Sequence, residues 1–87
     1  MGERKLKEIG QVTHYFTKIG VAVIDLSESL SIGDQILIKG MTTNIEQTVN
    51  SMQIEHKTVE KAKAGQSIGL RVEDRVREGD TVYKILQ

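Results

Sequence analysis

A short pattern occurs three times in the chain: an apolar or small residue, two spacers, Gly, Asp or Gln, one spacer, then Ile or Val. It reads Leu30-Ser31-Ile32-Gly33-Asp34-Gln35-Ile36, Ala62-Lys63-Ala64-Gly65-Gln66-Ser67-Ile68 and Val76-Arg77-Glu78-Gly79-Asp80-Thr81-Val82. Glycine takes the positive φ that a tight turn before a strand demands, and the Asp or Gln can hydrogen-bond the backbone freed there. The pattern marks three places where a strand begins after a turn.

The segments between these marks alternate as strands do. Ile9, Gln11, Thr13 and Tyr15 alternate with Gly10, Val12, His14 and Phe16, which predicts a first strand of about ten residues with mixed faces. Lys18-Ile19-Gly20 is its turn. The β-branched, doubly apolar run Val21-Ala22-Val23-Ile24-Asp25-Leu26 returns as the second strand of a hairpin, apolar on both faces as a strand inside a closed barrel can be. Gln35 to Gly40 is the third strand, and a long fourth runs from Ile45 to Ile54. The odd spacing from Val49 to Met52 predicts a β-bulge near Asn50-Ser51, so that both side chains face inward. Val59 to Ala64 has the spacing of a single helical turn stopped by Gly65. Ser67 to Val72 and Thr81 to Ile85 complete six strands. Six short strands with glycine turns and almost no helix predict an all-β barrel or sandwich.

At 87 residues the chain is one small domain, 1–87, with the polar residues 1–6 expected as a flexible extension. Twelve basic residues balance twelve acidic ones, so no overall field draws it to nucleic acid or to a membrane. The absence of Cys removes disulfides, thiolate zinc sites and thiol nucleophiles together, and suits a reducing cytoplasm. No stretch approaches the roughly 20 apolar residues that span a bilayer as a helix.

The segment Val49-Asn50-Ser51-Met52-Gln53-Ile54-Glu55-His56-Lys57, followed by Val59, Ala62, Ala64 to Leu70 and Arg77 to Val82, resembles the second domain of translational GTPases such as elongation factor Tu. Gly10-Gln11-Val12 resembles the first-strand motif of that domain, and Leu30 to Ile36 the exit of its second strand. Val12 to Phe16 and Lys18 to Val23 are most similar to small stand-alone elongation-factor-like proteins. The resemblance covers essentially the whole chain. It implies a six-stranded Greek-key β-barrel of the translation-protein type, and a non-catalytic module binding transfer RNA, ribosomal RNA or a protein of the translation machinery. No Gly-x-x-x-x-Gly-Lys-Ser/Thr loop is present, so GTP is not expected to bind. At the family's acidic and arginine positions for the aminoacylated end of transfer RNA stand Gln53 and His56. The first keeps hydrogen bonding without charge, and the second is cationic only when protonated.

The first hairpin is the local candidate for a contact surface. Tyr15 and Phe16, two of only three aromatic residues, sit beside His14 and Lys18. An aromatic next to a cation can stack a base and meet its phosphate, stacking being worth about 1–3 kcal/mol per base. Strand alternation sends one of the two aromatics into the core. Lys57, Lys61 and Lys63 form one basic group and Arg71, Arg75 and Arg77 a second, interspersed with carboxylates. If they converge they make a phosphate-binding strip; otherwise they are a solvated mixed face. The candidate binding residues are therefore His14, Tyr15, Phe16, Lys18, Gln53, His56 and Lys57. No catalytic constellation, cofactor or metal site is expected, because the two histidines have no third ligand at a telling spacing. A protein-docking accessory domain of an RNA-modifying or other multidomain enzyme is the alternative, and a small-ligand or metal-binding barrel the third.

Overall fold

β-Branched residues favour extended backbone, and every regular element described is a strand. The computed structural model describes residues 5–86. Its strands are β1 (Leu6–Phe16), β2 (Val21–Leu26), β3 (Leu30–Ser31), β4 (Gln35–Lys39), β5 (Asn44–Thr48), β6 (Met52–Ile54), β7 (Lys57–Val59), β8 (Lys61–Ala62), β9 (Ser67–Arg71) and β10 (Thr81–Ile85). The all-β class holds. Eight strands form one antiparallel sheet in the order β5-β4-β10-β1-β2-β9-β6-β7, while β3 pairs with β8.

Chain connectivity forces that sheet to curl. β5 and β6 are consecutive in sequence but six strand spacings apart in the sheet order, about 29 Å if the sheet were flat at the usual spacing. The connection from Thr48 to Met52 has only residues 49–51 between, a reach of at most about 14 Å. Only a strongly curled sheet lets so short a joint cross. Val49 is buried at the crossing, as are Ile9, Val12, Ile24, Leu30, Ile36, Ile68 and Val82 inside the curl.

The expected closed six-stranded barrel is corrected. At the ends of the sheet order, β5 has only β4 as a ladder partner and β7 only β6. The predicted fourth strand is two strands broken at residues 49–51, not one strand with a bulge, although Val49 and Met52 are both buried as that spacing required. Across the opening, a side chain takes the place of a ladder. The Gln47 amide donates to the Arg71 carbonyl at 2.9 Å and accepts the Glu73 amide at 2.9 Å. The predicted helical turn is also absent. Val59 ends β7 opposite Met52, and Ala62 lies in β8 opposite Leu30. The two are three apart because the chain leaves one sheet and joins the other at Glu60, whose carbonyl accepts the Ile32 amide at 2.9 Å.

The thrice-repeated pattern builds three copies of one turn. Ser31, Lys63 and Arg77 each accept a hydrogen bond from the amide three residues on, at 3.1 Å in every case. The third residue is Gly33, Gly65 or Gly79 with φ between 90° and 95°, the signature of a type II turn. The fourth residue's side chain then accepts the first residue's amide: Asp34 from Ser31 at 2.9 Å, Gln66 from Lys63 at 2.7 Å, Asp80 from Arg77 at 2.8 Å. Of the expected extension 1–6, residues 1–4 lie outside the described residues. Leu6 pairs with Ile85, and the Lys5 carbonyl accepts the Leu86 amide at 2.8 Å.

Candidate functional site

Two bulges decide which face of β1 each side chain takes. The register of β1 slips against β10 between Glu8 and Gly10, and against β2 between Val12 and His14. Each inserted residue reverses the parity of the pleat. Ile9 and Val12 are therefore both buried, and Tyr15, three further on, packs against the core. His14 and Phe16 point outward, Phe16 with 46% of its surface exposed. The open question of which aromatic is exposed is settled in favour of Phe16.

The outward residues of this hairpin form a cluster. The His14 ring meets Phe16 edge to face, with centroids 4.4 Å apart and planes at 70°. His14 Nδ1 lies 3.1 Å from a Glu78 carboxylate oxygen, both groups standing in solvent. At the tip, Gly20 adopts φ 67° and donates to the Phe16 carbonyl at 2.9 Å, while its own carbonyl accepts the Val72 amide at 3.0 Å. That tie fixes the tip against the chain after β9. It leaves Ile19 57% exposed beside Phe16, in a recess lined also by His14, Tyr15 and Lys18.

Gln53 joins this surface, but His56 and Lys57 do not. Gln53 pairs with Gly69 on one side and Thr58 on the other. It lines a shallow groove with Ile19, Val21, Met52 and Arg71 that continues from the hairpin recess through Ile19. His56 stands exposed at the tip of the β6–β7 hairpin. Lys57 is opposite Ile54 in that hairpin, hence on the other face from Gln53. It lines a separate groove with Lys61 and Lys63.

The two basic groups do not converge. Arg71 borders the groove at Gln47 and Glu73, and the Arg77 guanidinium donates to the Thr42 hydroxyl at 2.8 Å. Among the described residues no group of three or more His, Cys, Asp or Glu could hold a metal ion, and no helix is long and apolar enough to cross a membrane. Two features escaped the sequence. One is Ile19 as an exposed apolar partner of Phe16; the other is the Glu55-His56 turn, whose residues adopt φ 50° and 66°. A two-residue loop with both φ positive is the type I′ hairpin turn, ordinarily signalled by Asn-Gly.

No family model matches the chain. Over 77 residues it is 52% identical to a protein of Methanocaldococcus jannaschii named as an uncharacterised protease, a match covering 87% of this chain and 19% of that protein. It is 41% identical over 83 residues to a Porphyromonas gingivalis protein named collagenase, covering 93% of this chain and 23% of that one. The chain thus spans about a fifth of the length of these relatives. Its fold is like that of the C-terminal domain of a Geobacillus thermoleovorans protein named as a U32 peptidase, with a TM-score of 0.84 at 18% identity over 90% of this chain and 91% of that domain.

These likenesses overturn the resemblance to elongation factors. The whole-chain matches are to proteins named as a protease and collagenases, so the expectation of a stand-alone translation-factor module that binds RNA is corrected. The physical reason lies in what carried the resemblance. The Gly-Asp and Gly-Gln motifs encode type II turns whose polar side chains bond their own backbone. Such residues specify where a strand starts, and carry no information about a ligand.

Proposed function

We propose that this chain is an accessory β domain of a multidomain protein of the U32 peptidase type, and that it docks onto other parts of that protein without catalysing a reaction itself. One observation carries this: 52% identity spread over 87% of the chain, matched to only 19% of a protein named as a protease. A match of that shape describes one module of a longer polypeptide. The likeness in fold to a C-terminal domain from a U32 peptidase supports the same placement.

The outward face of the first hairpin supplies a contact surface. Phe16 and Ile19 are exposed large apolar side chains next to one another, held in place by the Gly20 to Val72 hydrogen bond. Aromatic and aliphatic anchors with a polar rim, here His14, Lys18 and Glu78, are the composition of a domain interface.

The test mixes this domain with the Methanocaldococcus jannaschii relative from which the matching segment has been deleted. Stoichiometric association, lost when Phe16 and Ile19 are replaced together by Ser, is the expected result, with no hydrolysis of gelatin by the domain alone. Gelatin cleavage by the isolated domain would refute the non-catalytic role. Failure to associate under any condition would refute the docking role.

A further inference from the structure

The face of the β6–β7 hairpin opposite Gln53 holds a second surface. Lys57 on β7, Lys61 on β8 and Lys63 in the turn that follows line one groove, together with Ser29, Ser31 and Gln66. In a chain of zero net charge, three ammonium groups around one concavity with only Glu55 at its rim make a local excess of positive charge. Glu60 lies with Thr58 in an adjoining groove that shares Ser31, Val59 and Lys61 with this one. The ion pairs among the described residues join Lys7 to Glu28, His14 to Glu78 and Lys84 to Asp34, so none of these three lysines is neutralised by one.

The groove lies beside an open sheet edge. β7 ends the eight-stranded order, with β6 its only partner there. Because Ile54 and Lys57 close the two-residue turn, ladder alternation turns the Thr58 amide and carbonyl away from β6, toward the free edge. Lysine on an edge strand repels basic strands and second copies of the same edge. It admits an acidic one.

We propose that the β7 edge and its three-lysine groove bind an extended acidic polypeptide segment, which adds to the sheet at Thr58 and directs alternate carboxylates to Lys57, Lys61 and Lys63. Strand addition takes affinity from main-chain hydrogen bonds and specificity from alternate side chains. A nucleic acid can offer neither a strand backbone nor, here, a stacked base, since Tyr15, Phe16 and Tyr83 are all absent from the groove lining. This goes beyond the docking of the first hairpin and does not depend on it.

The test is fluorescence anisotropy of the 87-residue chain with a labelled decapeptide alternating Glu and Val. A Lys-Val decapeptide and a single-stranded oligonucleotide serve as competing probes. Binding of the Glu-Val peptide is expected, weakening with added salt, and falling about tenfold or more when Lys57, Lys61 and Lys63 are all replaced by Gln. Thr58→Pro removes the outward amide at an edge position where proline is tolerated. It is expected to weaken the peptide while leaving circular dichroism and melting unchanged. Tighter binding of the oligonucleotide, or a folded triple variant that binds the peptide as the parent does, would overturn the proposal. So would an unaltered affinity in a folded Thr58→Pro.

Discussion

The Gly79 amide donates to the Val12 carbonyl at 2.8 Å, and the Val12 amide donates back to the carbonyl of Asp80 at the same distance. Leu26 is held in the same way by Gly65 and Gln66, and Val49 by Gly33 and Asp34, with all distances 2.8–2.9 Å. Each turn thus grips one buried residue of another segment, which is how three local motifs come to fix a non-local fold. An added Cβ at Gly79 meets nothing within 4 Å, so the penalty there is conformational, from a φ of 93°. Gly79→Ala is expected to lower stability by about 1–2 kcal/mol, read from urea unfolding. A loss of only a few tenths would mean that the turn relaxes to another type and that the grip on Val12 does not need it.

Gln47 bonds across the opening between β5 and the end of β9. Gln47 itself is 8% exposed, while Arg71 and Glu73 are exposed residues, so its loss leaves the Arg71 carbonyl and the Glu73 amide partly open to water. A buried group left so costs about 1–3 kcal/mol, and one that water reaches costs less. With water able to reach both, Gln47→Leu, which keeps the apolar stem, is expected to destabilise by about 1–3 kcal/mol, the net worth of two hydrogen bonds. Hydrogen exchange should quicken at Glu73 and the adjoining chain before the β1–β2 hairpin is affected. Uniform protection loss would place the joint elsewhere.

The parts of the sequence that encode local backbone were legible, and the parts that depend on distant partners were not. Val21 to Leu26 and Thr81 to Ile85 have the predicted limits, and all three glycine turns form where the pattern set them. Ile9, Val12 and Tyr15, spaced by three, hide two bulges behind what looks like an irregular alternation. The same arithmetic applied to Val49 and Met52 correctly required both to face inward. It could not tell a bulge from a break, because the difference is which strand lies alongside, β4 or β9. β3, β7 and β8 are two or three residues long, too short for periodicity to register. Among the candidate residues, His14, Phe16, Lys18 and Gln53 share one continuous surface. Lys57 was separated from them by the parity of a hairpin that carries no Asn or Gly to announce its turn.

The division between Tyr15 and Phe16 gives a direct check on the β1 bulge. Tyr15 is partly buried and packs on the core, whereas Phe16 is nearly half exposed. Tyr15→Ala is expected to cost about 2 kcal/mol, below the range for a fully buried aromatic. Phe16→Ala should stay within about 0.5–1 kcal/mol. Thermal melts of the two variants decide it. The opposite ranking would mean that β1 runs without the bulge at Thr13, with His14 then facing the interior.

The Glu55-His56 turn stores strain that a better sequence would release. Two non-glycine residues hold the left-handed region at φ 50° and 66°, where each L-residue with a Cβ is disfavoured by about 1–2 kcal/mol. Asn tolerates that region and Gly is free in it, so replacing Glu55 by Asn and His56 by Gly is expected to raise stability by about 1–2 kcal/mol. The Met52–Val59 and Ile54–Lys57 pairings should survive, as cross-strand contacts in NMR spectra would report. Because the turn sets the direction of Lys57, the change also separates two roles for the strain. If the variant gains stability and still binds the Glu-Val decapeptide, the left-handed pair serves only to close the hairpin. If it gains stability and loses the peptide, the hairpin tip next to Lys57 takes part in the contact as well, through His56 and not through the Glu55 carboxylate, which repels an acidic chain.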